Sequence, residues 1–156
     1  MSEFTHLDDA GAARMVDVSA KDVTARTATA TGRVLVSAEV VRLLRGGGLP
    51  KGDALAVARI AGIMAAKRTP DLVPLCQPIA IHGVTVELDV HDDAVTIEAT
   101  VRTADRTGVE MEALTCVVVS GLALIDMVKA VDPAATITDV LVVEKTGGKT
   151  GTWRRS

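Results

Sequence analysis

Aromatic residues are almost missing from this 156-residue chain: Phe4 and Trp153 are the only two, and there is no tyrosine. That removes the stacking platforms on which single-stranded nucleic-acid binders hold bases. The net charge of −3 supplies no basic field to attract DNA or RNA, so no nucleic-acid partner is expected. Cysteine is scarce too. Cys76 and Cys116 alone do not make a disulfide framework, which points to reduced thiols and a cytoplasmic protein. The N-terminus has no basic region followed by an apolar run, so it does not read as a signal peptide. No apolar run is long and uninterrupted enough to read as a membrane span. The nearest, residues 117–124, is closely flanked by Glu112 and Asp126.

What the chain has is small aliphatics. Hydrophobic residues make up 48%, mostly Ala, Val, Leu and Ile, and mean hydropathy is positive. The length fits one domain over residues 1–156 with a real core. The hydropathy suggests apolar surface hidden in a homo-oligomer.

Few apolar groups lie in residues 1–13, which are expected to rest loosely on the surface. Residues 15–19 alternate like a short strand, and residues 27–37, rich in Thr and Val, like a second. Ser37 is placed to cap a helix over residues 38–44 that the run Gly46-Gly47-Gly48 ends. Asp53 is placed to cap an Ala-rich helix over 54–67, stopped by Thr69-Pro70. Residues 79–90 and 94–103 alternate around His91-Asp92-Asp93 as a hairpin. A long helix spans 109–131 up to Asp132-Pro133, a last strand spans 136–143, and a flexible Gly-rich tail follows from about 145 to 156. The pattern reads as α+β, with helices packed on one face of an antiparallel sheet.

Candidate chemistry is dispersed. The tail segment Lys145-Thr146-Gly147-Gly148-Lys149 lacks the first glycine and the following helix of a phosphate loop, leaving flexible amides and two lysines to weigh against a solvated terminus. Lys51 stands just before a helix N-terminus, where an anion is favoured. Lys67 lies along the same helix, and surface solvation is the alternative for both. Asp126 and Lys129 share a helix face, with Glu112 about four turns earlier near the same stripe and Glu110 pointing elsewhere. That stripe could serve proton transfer or be an ordinary surface pair. Cys76 has no neighbouring histidine, and His6, His82 and His91 lack metal-site spacing.

Taken in order, several segments resemble the MoaC family, the cyclic pyranopterin monophosphate synthases of molybdenum cofactor biosynthesis. They are Met15-Val16-Asp17-Val18-Ser19, Lys51-Gly52-Asp53, Ala61-Gly62-Ile63-Met64-Ala65-Ala66-Lys67-Arg68-Thr69 and Leu75-Cys76. Thr107-Gly108-Val109-Glu110-Met111-Glu112-Ala113-Leu114-Thr115, Asp126-Met127 with Lys129-Ala130-Val131, and Lys145 with Gly147-Gly148-Lys149 complete the set. The resemblance implies a ferredoxin-like α+β fold and a hexamer, a trimer of dimers, with active sites at subunit interfaces. It implies a lyase that converts a cyclised dihydro-GTP triphosphate into cyclic pyranopterin monophosphate and releases pyrophosphate. It makes Lys51, Lys67, Lys129, Lys145 and Arg102 cationic site residues, Arg26 and Lys149 phosphate contacts, and Asp126 a general acid/base assisted by Lys129. Cys76, Met111 and Glu112 fall where the family contacts the guanine-derived ring, and Glu110 is expected among the substrate-binding residues. No resident cofactor is implied; a triphosphate commonly travels with Mg²⁺, and no carboxylate cluster forms a dedicated metal site. One position departs. The family has histidine after Leu75-Cys76, where this chain has Gln77, whose amide cannot exchange a proton near neutral pH. The alternative expectation is therefore an impaired variant or paralogue that binds without efficient turnover.

Overall fold

Threonine and small apolar residues alternate through residues 24–35, and this β-branched stretch becomes the central strand β1 (Thr24–Leu35). The computed structural model describes residues 4–49 and 53–156, so Lys51 lies outside the described residues. After β1 come α1 (Ala38–Gly46), α2 (Ala54–Ala66) and a single helical turn, α3 (Thr69–Leu72). Then follow β2 (Gly83–Val90), β3 (Ala94–Asp105), α4 (Glu110–Val128), β4 (Thr136–Thr146) and β5 (Trp153–Arg154). The sheet order is β2-β3-β1-β4-β5, with every pair antiparallel. Without the short β5, this is the ferredoxin-like split βαβ arrangement the resemblance implied.

The caps read from sequence are present. The Ser37 hydroxyl accepts from Val40 N, the Asp53 carboxylate accepts from Ala56 N at 3.0 Å, and Gly47 ends α1 in the left-handed conformation. The hairpin turn at His91-Asp92-Asp93 joins β2 to β3. Three expectations need correction. Residues 15–19 form no strand, because no edge pairs with them; the Val16 carbonyl accepts from a side chain instead, and Ser19 opens a turn. Residues 79–82 precede β2 rather than belonging to it. Lys145 and Thr146 belong to β4, and the chain beyond them returns as β5, with Lys145 paired to Trp153 and Glu144 to Arg154.

The helices share one face of the sheet. α4 lies on β1, β3 and β4, and α2 lies on β2 and along α4. Ala28, Ala30 and Val34 of β1 and Val95, Ile97, Ala99 and Val101 of β3 are buried beneath them. The opposite face carries Thr27, Thr29, Thr31, Glu98, Thr100 and Arg102, by strand alternation. At 19 residues, α4 is long and apolar enough to cross a bilayer by length and composition, which the reading of residues 117–124 had missed. Its apolar character is accounted for by burial: Cys116, Val117, Ser120, Gly121, Leu124 and Val128 pack inside the protein.

Glycine lets the two long helices meet. A Cβ on Gly62 would lie 2.0 Å from Ser120 Oγ and 2.9 Å from the Cys116 carbonyl oxygen, so the helices touch backbone to backbone there. They run antiparallel. Gly62 meets the middle of α4, while Ala66 and Lys67, at the end of α2, share a small cavity with Glu112 near the start of α4.

Candidate functional site

The first turn of α4 forms one wall of a cleft of about 510 Å³, within the usual range for a small-molecule site. Gly108, Glu110, Met111 and Glu112 come from that turn and the loop before it. Val73, Leu75, Cys76 and Gln77, from the connection after α3, form a second wall. Thr5, His6, Val16, Val18 and Lys21 from the N-terminal segment form the third.

Glu112 is the unusual group. It is 1% exposed, and its Oε2 has no hydrogen-bond partner among the described residues. Its Oε1 accepts from the Cys76 thiol at 3.4 Å. Burial raises its pKa above the usual 4.5, with Glu110 adding to the effect. Burial likewise pushes the Cys76 thiol up to about 12, with Glu112 reinforcing it. Cys76 is therefore a protonated donor at neutral pH, not a thiolate nucleophile. An orphaned carboxylate oxygen at the inner end of a cleft is suited to accept N–H donors from a ligand.

The raised pKa has a stability consequence. The folded chain keeps the Glu112 proton over a pH range in which the unfolded chain has already lost it. Stability must therefore fall as pH rises from the unfolded value through the raised folded value. Glu112→Gln removes that slope. Relative to the parent, the variant is expected to gain stability as pH rises above the ordinary carboxylate range. Melting temperatures measured from that range upward check this, and a difference that stays flat with pH refutes it.

Beside the cleft, Lys145 Nζ donates to Glu110 Oε1 at 2.9 Å, and both side chains are partly buried. β4 sets Lys145 opposite Ala28 of β1, on the helix-covered face. Arg26 sits on that face as well, with its Nε donating to the Asp105 carbonyl at 3.2 Å and its guanidinium against Gly148. The tail can turn around Arg26 because Gly147 has φ +89, where a Cβ would lie 2.1 Å from the Ala25 carbonyl oxygen. Lys149 follows, exposed, on the same turn. Lys67 is exposed at the end of α2 and borders the small cavity next to Glu112.

Two sets of residues lie elsewhere. Asp126 and Lys129 pair at 2.8 Å, 53% and 59% exposed, at the far end of α4, where the lysine caps the helix. That position suits a cation facing the helix dipole. Fourteen residues of helix separate Asp126 from Glu112, or about 21 Å at 1.5 Å per residue. Arg102 pairs with Thr27 on the uncovered face of the sheet, opposite Arg26. One protomer thus gathers Glu110, Met111, Glu112, Cys76, Gln77, Lys67, Arg26 and Lys145 at one end, and leaves Asp126, Lys129 and Arg102 apart from them.

Sequence reasoning missed the N-terminal wall. Thr5, His6 and Lys21 carry no periodic pattern, and only the quoted 15–19 segment, with Val16 and Val18, marked this stretch. It also missed Asp105, whose carboxylate accepts from Ala80 N and Arg106 N, which hold it below the usual carboxylate value. No group of three or more metal-ligating side chains occurs among the described residues.

Residues 15–148 match the model of the MoaC family. The chain is 73% identical over 153 residues to a cyclic pyranopterin monophosphate synthase of Streptomyces avermitilis, covering 98% of this chain and 90% of that protein. It is 69% identical over 155 residues to the protein of the same name from Nocardioides sp., covering 97% and 95%. It is 59% identical over 153 residues to cyclic pyranopterin monophosphate synthase 2 of Mycobacterium tuberculosis, covering 98% and 92%.

Proposed function

The chain belongs to the MoaC family, and from that premise we propose that it is a cyclic pyranopterin monophosphate synthase of molybdenum cofactor biosynthesis. The observation that carries this reading is the cleft itself: a buried, unpartnered Glu112 carboxylate oxygen at its inner end, with Lys145 and Arg26 beside it. The carboxylates of Glu112 and Glu110 suit the N–H edge of a guanine-derived ring, and Met111 and Cys76 line its faces. Arg26, Lys67, Lys145 and Lys149 suit a triphosphate.

In the phosphate step, a substrate hydroxyl attacks the α-phosphorus, its proton passes to solvent, and the bond from the α-phosphorus to the oxygen bridging it to the β-phosphorus breaks. The products are a cyclic phosphate and pyrophosphate, a lyase-type outcome. Lysines and arginines lower the barrier by meeting charge that builds on the leaving group. Asp126, held by Lys129, is the general acid/base of the ring-forming steps. A magnesium ion would arrive with the triphosphate as part of the substrate.

The proposal includes a homo-oligomer, a hexamer built as a trimer of dimers in the cytoplasm, with each site completed across a subunit interface. Two observations support this. The Glu112 and Asp126 ends of α4 are too far apart to close on one ring system, and Arg102 faces away from both. Ile60 and Met64 of α2 and Val118 and Leu122 of α4 leave the outer face of the helical layer apolar and exposed. Nothing at the site favours the impaired alternative attached to Gln77. The test is release of pyrophosphate from 3′,8-cyclo-7,8-dihydro-GTP by the purified chain, with formation of cyclic pyranopterin monophosphate followed alongside. Stoichiometric release of the two products is expected, and substrate recovered intact overturns the reading.

A further inference from the structure

We infer that Gln77 is a positioning residue: its side-chain amide holds the N-terminal segment in place as a wall of the ring-binding cleft. The inference rests on the function proposed above for that cleft. The Gln77 Nε2 group donates to the Val16 carbonyl. A carbonyl oxygen only accepts, so the amide nitrogen must face it, which fixes the orientation of the side chain. Residues 4–23 need such an anchor. Their backbone hydrogen bonds are internal, Asp8 N to the Ala12 carbonyl and Arg14 N to the His6 carbonyl among them, with a bridge between Leu7 and Ala13.

Among the described residues, two side-chain bonds reach this segment from the body of the domain: Gln77 to the Val16 carbonyl, and Arg106 Nε to the Lys21 carbonyl at 3.2 Å. Between those two points the segment presents Val16 and Val18 to the cleft, and both also border a second hollow of about 460 Å³. With hollow space beside it, the wall depends on its anchors rather than on close packing. Gln77 therefore acts on binding rather than on bond-making. Any side chain of similar reach with an N–H can replace it, and one without an N–H cannot.

The test compares the full-length parent with Gln77→Ala, Gln77→Glu and Gln77→His. Limited trypsin digestion reads the anchor directly, since Arg14 and Lys21 flank Val16. Loss of one hydrogen bond is expected to speed cleavage at those two sites about three- to tenfold in the alanine and glutamate variants, with the histidine variant close to the parent. Pyrophosphate-release kinetics read the consequence: KM rising by a similar factor in the first two variants, kcat within about twofold, and recovery in the histidine variant. Unchanged trypsin rates in Gln77→Ala and Gln77→Glu overturn the anchor. A fall in kcat at constant KM, or faster cleavage with KM unmoved, overturns the positioning role. A parent that releases no pyrophosphate overturns the proposed function instead, and the trypsin rates then decide the anchor by themselves.

Discussion

Asp126→Asn is expected to lower the rate of pyranopterin formation by about 10²- to 10⁴-fold, the usual contribution of a positioned acid or base. The asparagine keeps the shape and one acceptor but can neither take nor give a proton. Asp126 and Lys129 are each more than half exposed, and an exposed ion pair contributes roughly 0–1 kcal/mol to stability. The melting temperature should therefore barely move while turnover collapses. Structural and catalytic roles separate cleanly here, which is not so for buried Glu112, where any substitution also touches the core. Initial rates of product formation and a thermal melt on the same preparation decide the matter. Activity within tenfold of the parent removes Asp126 from proton transfer.

Features governed by neighbours in sequence were legible from sequence. Ser37, Gly47 and Asp53 mark helix ends because a cap is satisfied within three or four residues. The alternation of residues 27–37 and 94–103 survives as β1 and β3 because both lie inside the sheet, where one face is buried throughout. Alternation alone misled at residues 15–19: a strand needs an edge to pair with, and a single sequence does not show which edges are taken. The tail shows the converse. Its glycines read as flexibility, yet two of them take left-handed conformations that wrap Arg26. In α4, three consecutive valines at 117–119 run against helix propensity, and packing overrides it. The site followed the same division. The resemblance named candidate residues on two of the cleft's three walls, and the four helical turns between Glu112 and Asp126 amount to about 21 Å. What the residues could not disclose is that Glu112 is buried without a partner for one oxygen, or that Lys145 is held by Glu110. Both depend on contacts between segments more than thirty residues apart.

That separation along α4 yields the most discriminating result, obtained by mixing two inactive proteins. Asp126→Asn damages only the far end of the helix, and Lys145→Ala only the cleft end. If a site takes Lys145 from one chain and Asp126 from its partner, a mixed dimer has one site carrying both lesions and one carrying neither. Random reassortment makes about half the dimers mixed, each with one of two sites intact, so activity should return to about a quarter of the parent's. If each site is built within a single chain, every site in the mixture carries one lesion and activity stays at the level of the separate variants. Reassortment can be driven by co-expression with two different tags, and the doubly tagged hexamers, which still hold mixed and unmixed dimers, should likewise reach about a quarter of the parent's activity. The two outcomes differ by orders of magnitude if, as proposed, each lesion alone removes either the proton-transfer group or a cation facing the departing pyrophosphate. Recovery would also explain why Asp126 and Lys129 are solvent-exposed in one protomer. In water their attraction is weak, and it strengthens once a partner subunit excludes solvent and brings the substrate's phosphates alongside.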